Sequence, residues 1–210
     1  MGVNSELLFR VLFSGLWLAF LANVMWVNHA AKWVSSRRTS TNQRRLRTVA
    51  VAISGLYFAG TMLYALVPAW IMFVSIQLPD WFRLVMVAGA TLSVLCVSWA
   101  IRALGKNWAP SVSGVRKDTV LVTSGPYAYV RHPIYSGVFF FLVTVALVSA
   151  NLFILIPTLA LIALLYRSIA EEETLLIARF GNEYREYMKR TPRLIPRFSF
   201  GPAHSRQPPA

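Results

Sequence analysis

The chain of 210 residues is 56% hydrophobic and only 14% charged, with a formal net charge of +13. A soluble domain is typically about 45–50% apolar and about 25% charged, so this composition excludes an ordinary soluble enzyme and predicts an integral membrane protein. The basic residues lie in blocks between long apolar runs, which favours an orientation signal beside a membrane over nucleic-acid binding. The single cysteine, Cys96, excludes an internal disulfide, and we expect it to be a small buried core residue.

Five apolar runs are candidates for membrane-spanning helices, each of which needs about 20 residues. In chain order they cover approximately residues 7–27, 49–77, 81–104, 134–150 and 152–167. We expect Pro68 to kink the second helix, and only residues 149–151 separate the last two, which predicts a tight helical hairpin. The predicted fold class is therefore all-α: a membrane bundle of about five transmembrane helices with a cytoplasmic C-terminal helix.

Charge predicts the orientation of these helices, because cytoplasmic loops carry an excess of Lys and Arg. All of the 21 basic residues except Arg10 and Arg83 follow the first, third or fifth run. This pattern predicts a multi-pass protein of the cytoplasmic membrane, with the N-terminus outside and the C-terminus in the cytoplasm. The first four runs carry almost no ionisable residue at mid-depth, which argues against an ion pump, and the polar groups gather on the cytoplasmic side.

The first polar stretch is GPYAYVRHPIYSG, residues 125–137. Pro133 disfavours helical geometry in the residue before it and can start a helix, so Arg131 and His132 are expected in a rigid turn at a helix N-terminus. Such a place suits an anionic ligand group, and Arg131 can clamp a carboxylate or a phosphate. Tyr127, Tyr129 and Tyr135 offer flat surfaces and hydroxyls. The alternative interpretation is an ordinary helix start with a snorkelling arginine.

The second polar stretch, residues 171–196, begins with three adjacent glutamates and continues as an amphipathic pattern that stops at Gly181. Successive side chains on a helix point about 100° apart, so at least one of Glu171, Glu172 and Glu173 is expected to face the protein. It then accepts hydrogen bonds from ribose hydroxyls or faces a cation; the alternative is a solvated charge run. The sequence has no G-x-G turn, P-loop, H-E-x-x-H, cysteine pair or G-x-S-x-G elbow, so neither a metal site nor a serine hydrolase is predicted.

Together these stretches resemble the isoprenylcysteine carboxyl methyltransferase family and its wider relatives, the phospholipid methyltransferases. The resemblance rests on GPYAYVRHPIYSG, on EEETLLIARFGNEYREYMKR and on the closing TPRLIP of residues 191–196, and Arg102, Leu104, Gly105 and Trp108 look like the motif after the preceding helix. It covers about residues 99–198. It implies an integral-membrane methyltransferase that uses S-adenosylmethionine on a lipophilic acceptor reached from the bilayer: a prenylcysteine-like carboxylate, a thiol or a lipid.

The same resemblance implies the site residues and the domain organisation. The residues implied in catalysis are Arg131, Glu173 and Glu172, and those implied in cofactor binding are Tyr127, Arg131, His132, Pro133, Tyr135, Glu172, Tyr184, Tyr187 and Arg193. The expected partners are the lipophilic or lipidated substrate and membrane lipids. We interpret residues 1–198 as one domain, with 1–98 as N-terminal helices, 99–198 as the cofactor-binding half, and 199–210 as a disordered tail.

Two departures and two alternatives bear on this interpretation. Eukaryotic prenylcysteine enzymes often have a histidine where this chain has Thr119, and they are longer. Both departures argue against a prenylated protein as the acceptor, and the short build resembles prokaryotic members. Sterol reductases resemble the same C-terminal half and bind a reduced nicotinamide, but the run from Phe180 to Tyr184 looks more like the methyltransferase form. A non-catalytic membrane scaffold is the second alternative.

Overall fold

The computed structural model describes residues 3–30, 41–67, 74–105 and 120–197, with side chains described from residue 5 to 26 and from residue 51 onward within those ranges. The helices are α1 (Val3–Ala30), α2 (Thr41–Leu66), α3 (Asp80–Leu104), α4 (Pro133–Ser149), α5 (Leu152–Phe180) and α6 (Asn182–Arg190). A short 3-10 turn, Gly125–Ala128, precedes α4. Within the described ranges the extended structure is limited to one isolated bridge between Ser75 and Asn151.

The membrane architecture follows from the apolar helices. Three of them, α1, α3 and α5, are long and apolar enough to cross a bilayer, while α4 and the Val51–Leu66 part of α2 are shorter apolar helices. Their outward faces carry exposed large apolar side chains, as lipid contact requires. The prediction of an all-α, multi-pass integral membrane bundle is confirmed. The prediction for Cys96 was wrong, because this residue lies on the exposed face of α3.

The core of the bundle lies where α3, α4 and α1 meet, and α2 packs mainly on α5. A Cβ atom on Gly137 would lie 2.5 Å from Val97 Cγ2, so α4 approaches α3 at a distance that only glycine permits. Phe20 stacks on Phe141 with ring centroids 4.3 Å apart, and Trp17 meets Phe141 edge-on at 5.3 Å. These aromatic contacts hold α1 against α4.

Helix bounds differ from the sequence prediction most at α2 and α5. The second helix begins at Thr41, eight residues before the predicted start. The second run was expected to continue to residue 77, but α2 ends at Leu66 and Ser75 pairs with Asn151 instead. Pro68, where a kink was expected, lies outside the described residues, as do the tail residues from 198 onward. The fifth run was expected to end at Arg167, but α5 continues to Phe180, so the three glutamates lie on α5 itself. Helix α5 ends at Gly181, whose φ of 57° is unfavourable for any residue with a Cβ atom.

The hairpin between α4 and α5 is confirmed. Ala150 closes α4 in the left-handed conformation, with a φ of 48°. Asn151 then caps α5, because its side-chain oxygen accepts a hydrogen bond from the Phe153 amide at 2.8 Å.

An ionic cluster that the sequence did not reveal is buried at this end of the bundle, opposite α6. Arg83, in the first turn of α3, is fully buried. Its guanidinium donates to Glu6 Oε2 at 2.8 Å, to the Tyr64 hydroxyl at 3.1 Å and to the Val148 carbonyl at 2.9 Å, and it lies 3.8 Å from the Phe9 ring centroid. The sequence set Arg83 apart from the blocks of basic residues, and the structure adds that its charge is buried and paired with Glu6.

Candidate functional site

The chain after α6 folds back along the start of α4, and residues 191–194 are called the C-terminal strap here. The Arg131 amide donates to the Pro192 carbonyl at 2.8 Å, and the His132 amide donates to the Arg193 carbonyl at 3.1 Å. The Ser136 hydroxyl donates to the Leu194 carbonyl at 2.7 Å. Pro133 is the first residue of α4, so the strap is fixed to the rigid turn that the sequence predicted.

Glu173 lies at the centre of the site, on α5, and only 4% of it is exposed. Arg131 donates to its Oε1 from Nε at 3.0 Å and from Nη2 at 2.7 Å, and His132 Nε2 lies 3.2 Å from the same oxygen. Arg193 donates to Oε2. One carboxylate thus joins α5 to the turn before α4 and to the C-terminal strap.

Arg131 is occupied by partners within the protein. Besides Glu173, it donates from Nη1 to the carbonyls of Met188 at 3.1 Å and Thr191 at 2.5 Å. The sequence indicated an arginine suited to clamping a carboxylate, and the structure shows that the carboxylate at Arg131 belongs to Glu173. Its side chain is 8% exposed, so Arg131 fixes the end of α6 rather than presenting a free guanidinium.

Glu172 has different surroundings from Glu173, because adjacent helix positions point about 100° apart. It is half-buried, and its negative charge acts on the hydroxyls of Tyr127, Tyr135 and Tyr184. Across the described part of the chain it forms no ion pair with a basic side chain. The site therefore contains one carboxylate neutralised by arginines and a second one surrounded by tyrosines.

Two tyrosines of α6, Tyr184 and Tyr187, belong to the same site. The Tyr187 hydroxyl donates to the Tyr127 carbonyl at 2.6 Å. The Tyr184 hydroxyl is buried and finds no hydrogen-bond partner in the described residues. Burial raises the pKa of Tyr187 to about 12 and raises the pKa of Tyr184 as well, so both hydroxyls keep their protons at neutral pH. A buried hydroxyl without a partner is costly, which suggests that a ligand completes this site.

The structure brings together every residue that the sequence singled out as a site residue: Tyr127, Arg131, His132, Pro133, Tyr135, Glu172, Glu173, Tyr184, Tyr187 and Arg193. Tyr129 and Glu171 are exposed and lie outside it. Sequence reasoning missed Tyr166, whose hydroxyl lies near enough to Arg193 to raise the pKa of that guanidinium. Tyr166 lies seven residues before Glu173 and therefore on the same face of α5, which was the available signal. Using that signal required knowing that α5 continues past Arg167.

Comparison with known proteins finds a family similarity over much of this segment. Residues 84–178 match the model of the isoprenylcysteine carboxyl methyltransferase (ICMT) family. Over these residues, a little under half of the chain, the sequence is similar to that family. The described geometry accounts for the match, because this range holds α4, the turn before it and the glutamates of α5.

Relatives come from both bacteria and eukaryotes. The nickel-cobalt-cadmium resistance protein NccN of Alcaligenes xylosoxydans xylosoxydans is 30% identical, over 54% of this chain and 53% of that protein. The protein-S-isoprenylcysteine O-methyltransferase of Schizosaccharomyces pombe is 34% identical, over 51% of this chain and 48% of the enzyme. The human enzyme of that name is 36% identical, over 46% of this chain and 35% of the enzyme. The chain thus matches about half or less of the length of these relatives, and its resemblance to prokaryotic members is supported by the bacterial match.

A solved structure supports the fold. The eukaryotic intramembrane Ras methyltransferase ICMT matches with a TM-score of 0.52 and 27% sequence identity, covering 76% of this chain and 54% of that one. The membrane fold of this chain is therefore similar to that of this methyltransferase.

Proposed function

We propose that this protein is an S-adenosylmethionine-dependent methyltransferase that acts on a lipophilic acceptor reached from the bilayer. The observation that carries the proposal is Glu172, which lies inside the segment matched to the ICMT family. Among the residues with described side chains it has no basic partner, and its charge acts on Tyr127, Tyr135 and Tyr184. A carboxylate among aromatic rings is a favourable environment for a ligand cation. A sulfonium is such a cation.

The residues of the site fit that cofactor in three respects. Glu172 would offer negative charge to the sulfonium, and Tyr127 and Tyr135 are aromatic side chains whose hydroxyls lie within reach of that charge. The unpartnered Tyr184 hydroxyl offers a hydrogen bond to a hydroxyl or carboxylate of the ligand. Bound S-adenosylmethionine supplies a methyl group already activated for transfer, so the protein needs mainly to align the acceptor and exclude water.

The cluster around Glu173 has a supporting role in this proposal. It fixes Arg131, His132 and the C-terminal strap relative to α5, so the groups that face a ligand are held by packing and hydrogen bonds. A prenylcysteine-like acceptor is proposed because relatives carry the name protein-S-isoprenylcysteine O-methyltransferase. The proposed setting is the cytoplasmic membrane, with the N-terminus outside and this site on the cytoplasmic face, where the basic residues of α6 lie.

The first experiment is the thermal stability of the detergent-purified full chain with S-adenosylmethionine, S-adenosylhomocysteine or NADPH. A ligand at 100 times its dissociation constant stabilises the folded state by about 2.7 kcal/mol, which is measurable as a shift of melting temperature. A shift with the two adenosyl ligands alone supports the proposal. A shift with NADPH alone would place the protein with the reductases, and no shift with any of the three would favour the scaffold alternative.

A second experiment tests Glu172 directly. Glu172→Gln removes the negative charge at constant size, so we expect the affinity for cationic S-adenosylmethionine to fall about tenfold. The affinity for S-adenosylhomocysteine, whose thioether is neutral, should change less than about twofold. Glu171→Gln is the matched control, because Glu171 is its exposed neighbour on α5. Equal losses for both ligands would contradict a contact between Glu172 and the sulfonium.

A further inference from the structure

We propose that the surface around the C-terminal strap binds the phosphate headgroups of anionic phospholipids, and that these lipids brace the strap against the turn before α4. This lipid-binding surface consists of three exposed arginines, Arg167, Arg190 and Arg197, and the exposed apolar side chain of Ile195. In the proposed orientation the lipids belong to the cytoplasmic leaflet. The inference holds whatever reaction the site performs.

The strap lies at the depth where a bilayer changes from acyl chains to headgroups. Arg193 reaches Glu173 on α5 and lies close to Tyr166 on the same helix. Helix α5 begins at Leu152, in the hairpin at the other end of the bundle. At the helical rise per residue, Tyr166 and Glu173 lie about 21 and 32 Å along α5, and the apolar core of a bilayer is about 30 Å thick. The strap is therefore at the boundary of that core, beside the lipid phosphates.

The three arginines surround the strap and are open to an anion. Arg190 directly precedes the strap, Arg197 lies three residues after it, and Arg167 is next to Tyr166 on α5. All three are exposed, and within the described part of the chain none of them forms an ion pair with a carboxylate. An arginine can bind two oxygens of one phosphate at once, so this arrangement suits phosphate headgroups.

Ile195 supplies the apolar part of the surface and indicates what kind of anion binds there. It is 78% exposed and lies between the strap and Arg197. At this depth its side chain can enter the acyl chains while the arginines reach the phosphates, a combination typical of segments that bind anionic membrane surfaces. A nucleic acid or an acidic protein would neutralise the arginines but leave Ile195 in water. A phospholipid matches both parts of the surface.

Lipid binding at this surface acts on the site through the backbone. The carbonyls of Pro192 and Arg193 accept hydrogen bonds from the amides of Arg131 and His132. A lipid that holds the chain on both sides of the strap limits local opening, so these hydrogen bonds break less often. The order of the turn before α4 therefore depends on the anionic lipid content of the leaflet.

The first test places a fluorescent nitrobenzoxadiazole label at position 195 of the full chain in nanodiscs. The label is attached to Ile195→Cys in a Cys96→Ser background, which removes the natural cysteine. Spin-labelled phosphatidylglycerol and phosphatidylcholine, with the nitroxide on the same acyl carbon, are compared as quenchers at equal mole fraction. Each arginine near an anionic surface contributes about fivefold in affinity. We therefore expect phosphatidylglycerol to be preferred at least about fivefold.

Two variants of equal net charge separate this surface from the overall charge of the protein. The test variant combines Arg167→Gln, Arg190→Gln and Arg197→Gln, and it should lose the preference for phosphatidylglycerol. The matched control should keep the preference, because its substitutions are at exposed positions at the ends of α3 and α5 and in the first half of α6. It combines Arg102→Gln, Arg179→Gln and Arg185→Gln.

Hydrogen exchange tests the effect on the site. Amide exchange in the peptide that contains Arg131 and His132 should be at least about threefold slower in nanodiscs with phosphatidylglycerol than in phosphatidylcholine alone. This difference should appear in the unlabelled wild type and in the matched control, and it should be absent from the test variant.

Several outcomes would overturn the inference. Equal quenching by the two lipids, or a test variant that keeps the preference, would show that the arginines around the strap do not select anionic headgroups. A label that neither lipid quenches would show that position 195 faces water rather than the bilayer. Hydrogen exchange that does not respond to phosphatidylglycerol would show that lipid binding does not brace the strap.

Discussion

The buried ionic cluster at the α4–α5 end of the bundle predicts an asymmetry between its two charged partners. Arg83 is fully buried, whereas the Glu6 side chain is 32% exposed. Glu6→Gln leaves the buried guanidinium of Arg83 without its counter-ion, and water cannot reach that guanidinium to solvate it instead. Arg83→Met leaves a carboxylate that water can reach and that still accepts the Tyr64 hydroxyl at 3.0 Å. Glu6→Gln should therefore be much the more destabilising change.

The magnitudes follow from the burial of each group. Removing one partner of a buried ion pair costs about 3–5 kcal/mol, and the partial exposure of Glu6 places Glu6→Gln at about 3 kcal/mol. Arg83→Met removes the buried charge itself and should cost about 1 kcal/mol, mainly the unpaired Val148 carbonyl. The double variant should cost about as much as Arg83→Met alone, because the cation that Glu6 neutralised is gone.

Reversible unfolding in mixed micelles, with sodium dodecyl sulfate as the denaturant, measures these free energies. Glu186→Gln, which breaks an exposed pair with Lys189, is the control and should change stability by less than about 1 kcal/mol. Equal losses for Glu6→Gln and Arg83→Met, or a double variant whose loss equals their sum, would refute the reasoning from burial.

Two further predictions concern packing and the site. Gly137→Ala places a Cβ atom 2.5 Å from Val97 Cγ2 and should lower the free energy of unfolding by about 1–3 kcal/mol in the same assay. The control is Gly55→Ala, which has open space around it and should leave stability unchanged or slightly raised. Equal effects of the two substitutions would contradict the close approach of α3 and α4. Tyr187→Phe removes the buried hydrogen bond to the Tyr127 carbonyl and should cost about 1 kcal/mol, and an unchanged free energy of unfolding would show that this bond contributes nothing.

Local sequence signals determined much of the fold and most of the site. Uninterrupted apolar runs predict spanning helices because a bilayer requires internally hydrogen-bonded, apolar segments. Pro133 fixed the start of α4 and Gly181 the end of α5, since each restricts the backbone at its own position. The candidate site residues could be named because they lie in two short stretches that resemble one family, and each stretch is locally continuous.

The tertiary structure decided what each of these residues faces. Glu172 and Glu173 are neighbours with identical side chains, and only the packing of α5 against the turn before α4 shows that Glu173 meets the arginines while Glu172 meets the tyrosines. The bond between Glu6 and Arg83 joins positions 77 residues apart. Hydrophobic periodicity reports which side of a helix is apolar, but it does not report which distant group lies opposite. Such pairings depend on how the helices pack, and that information is held by the whole chain rather than by any one segment.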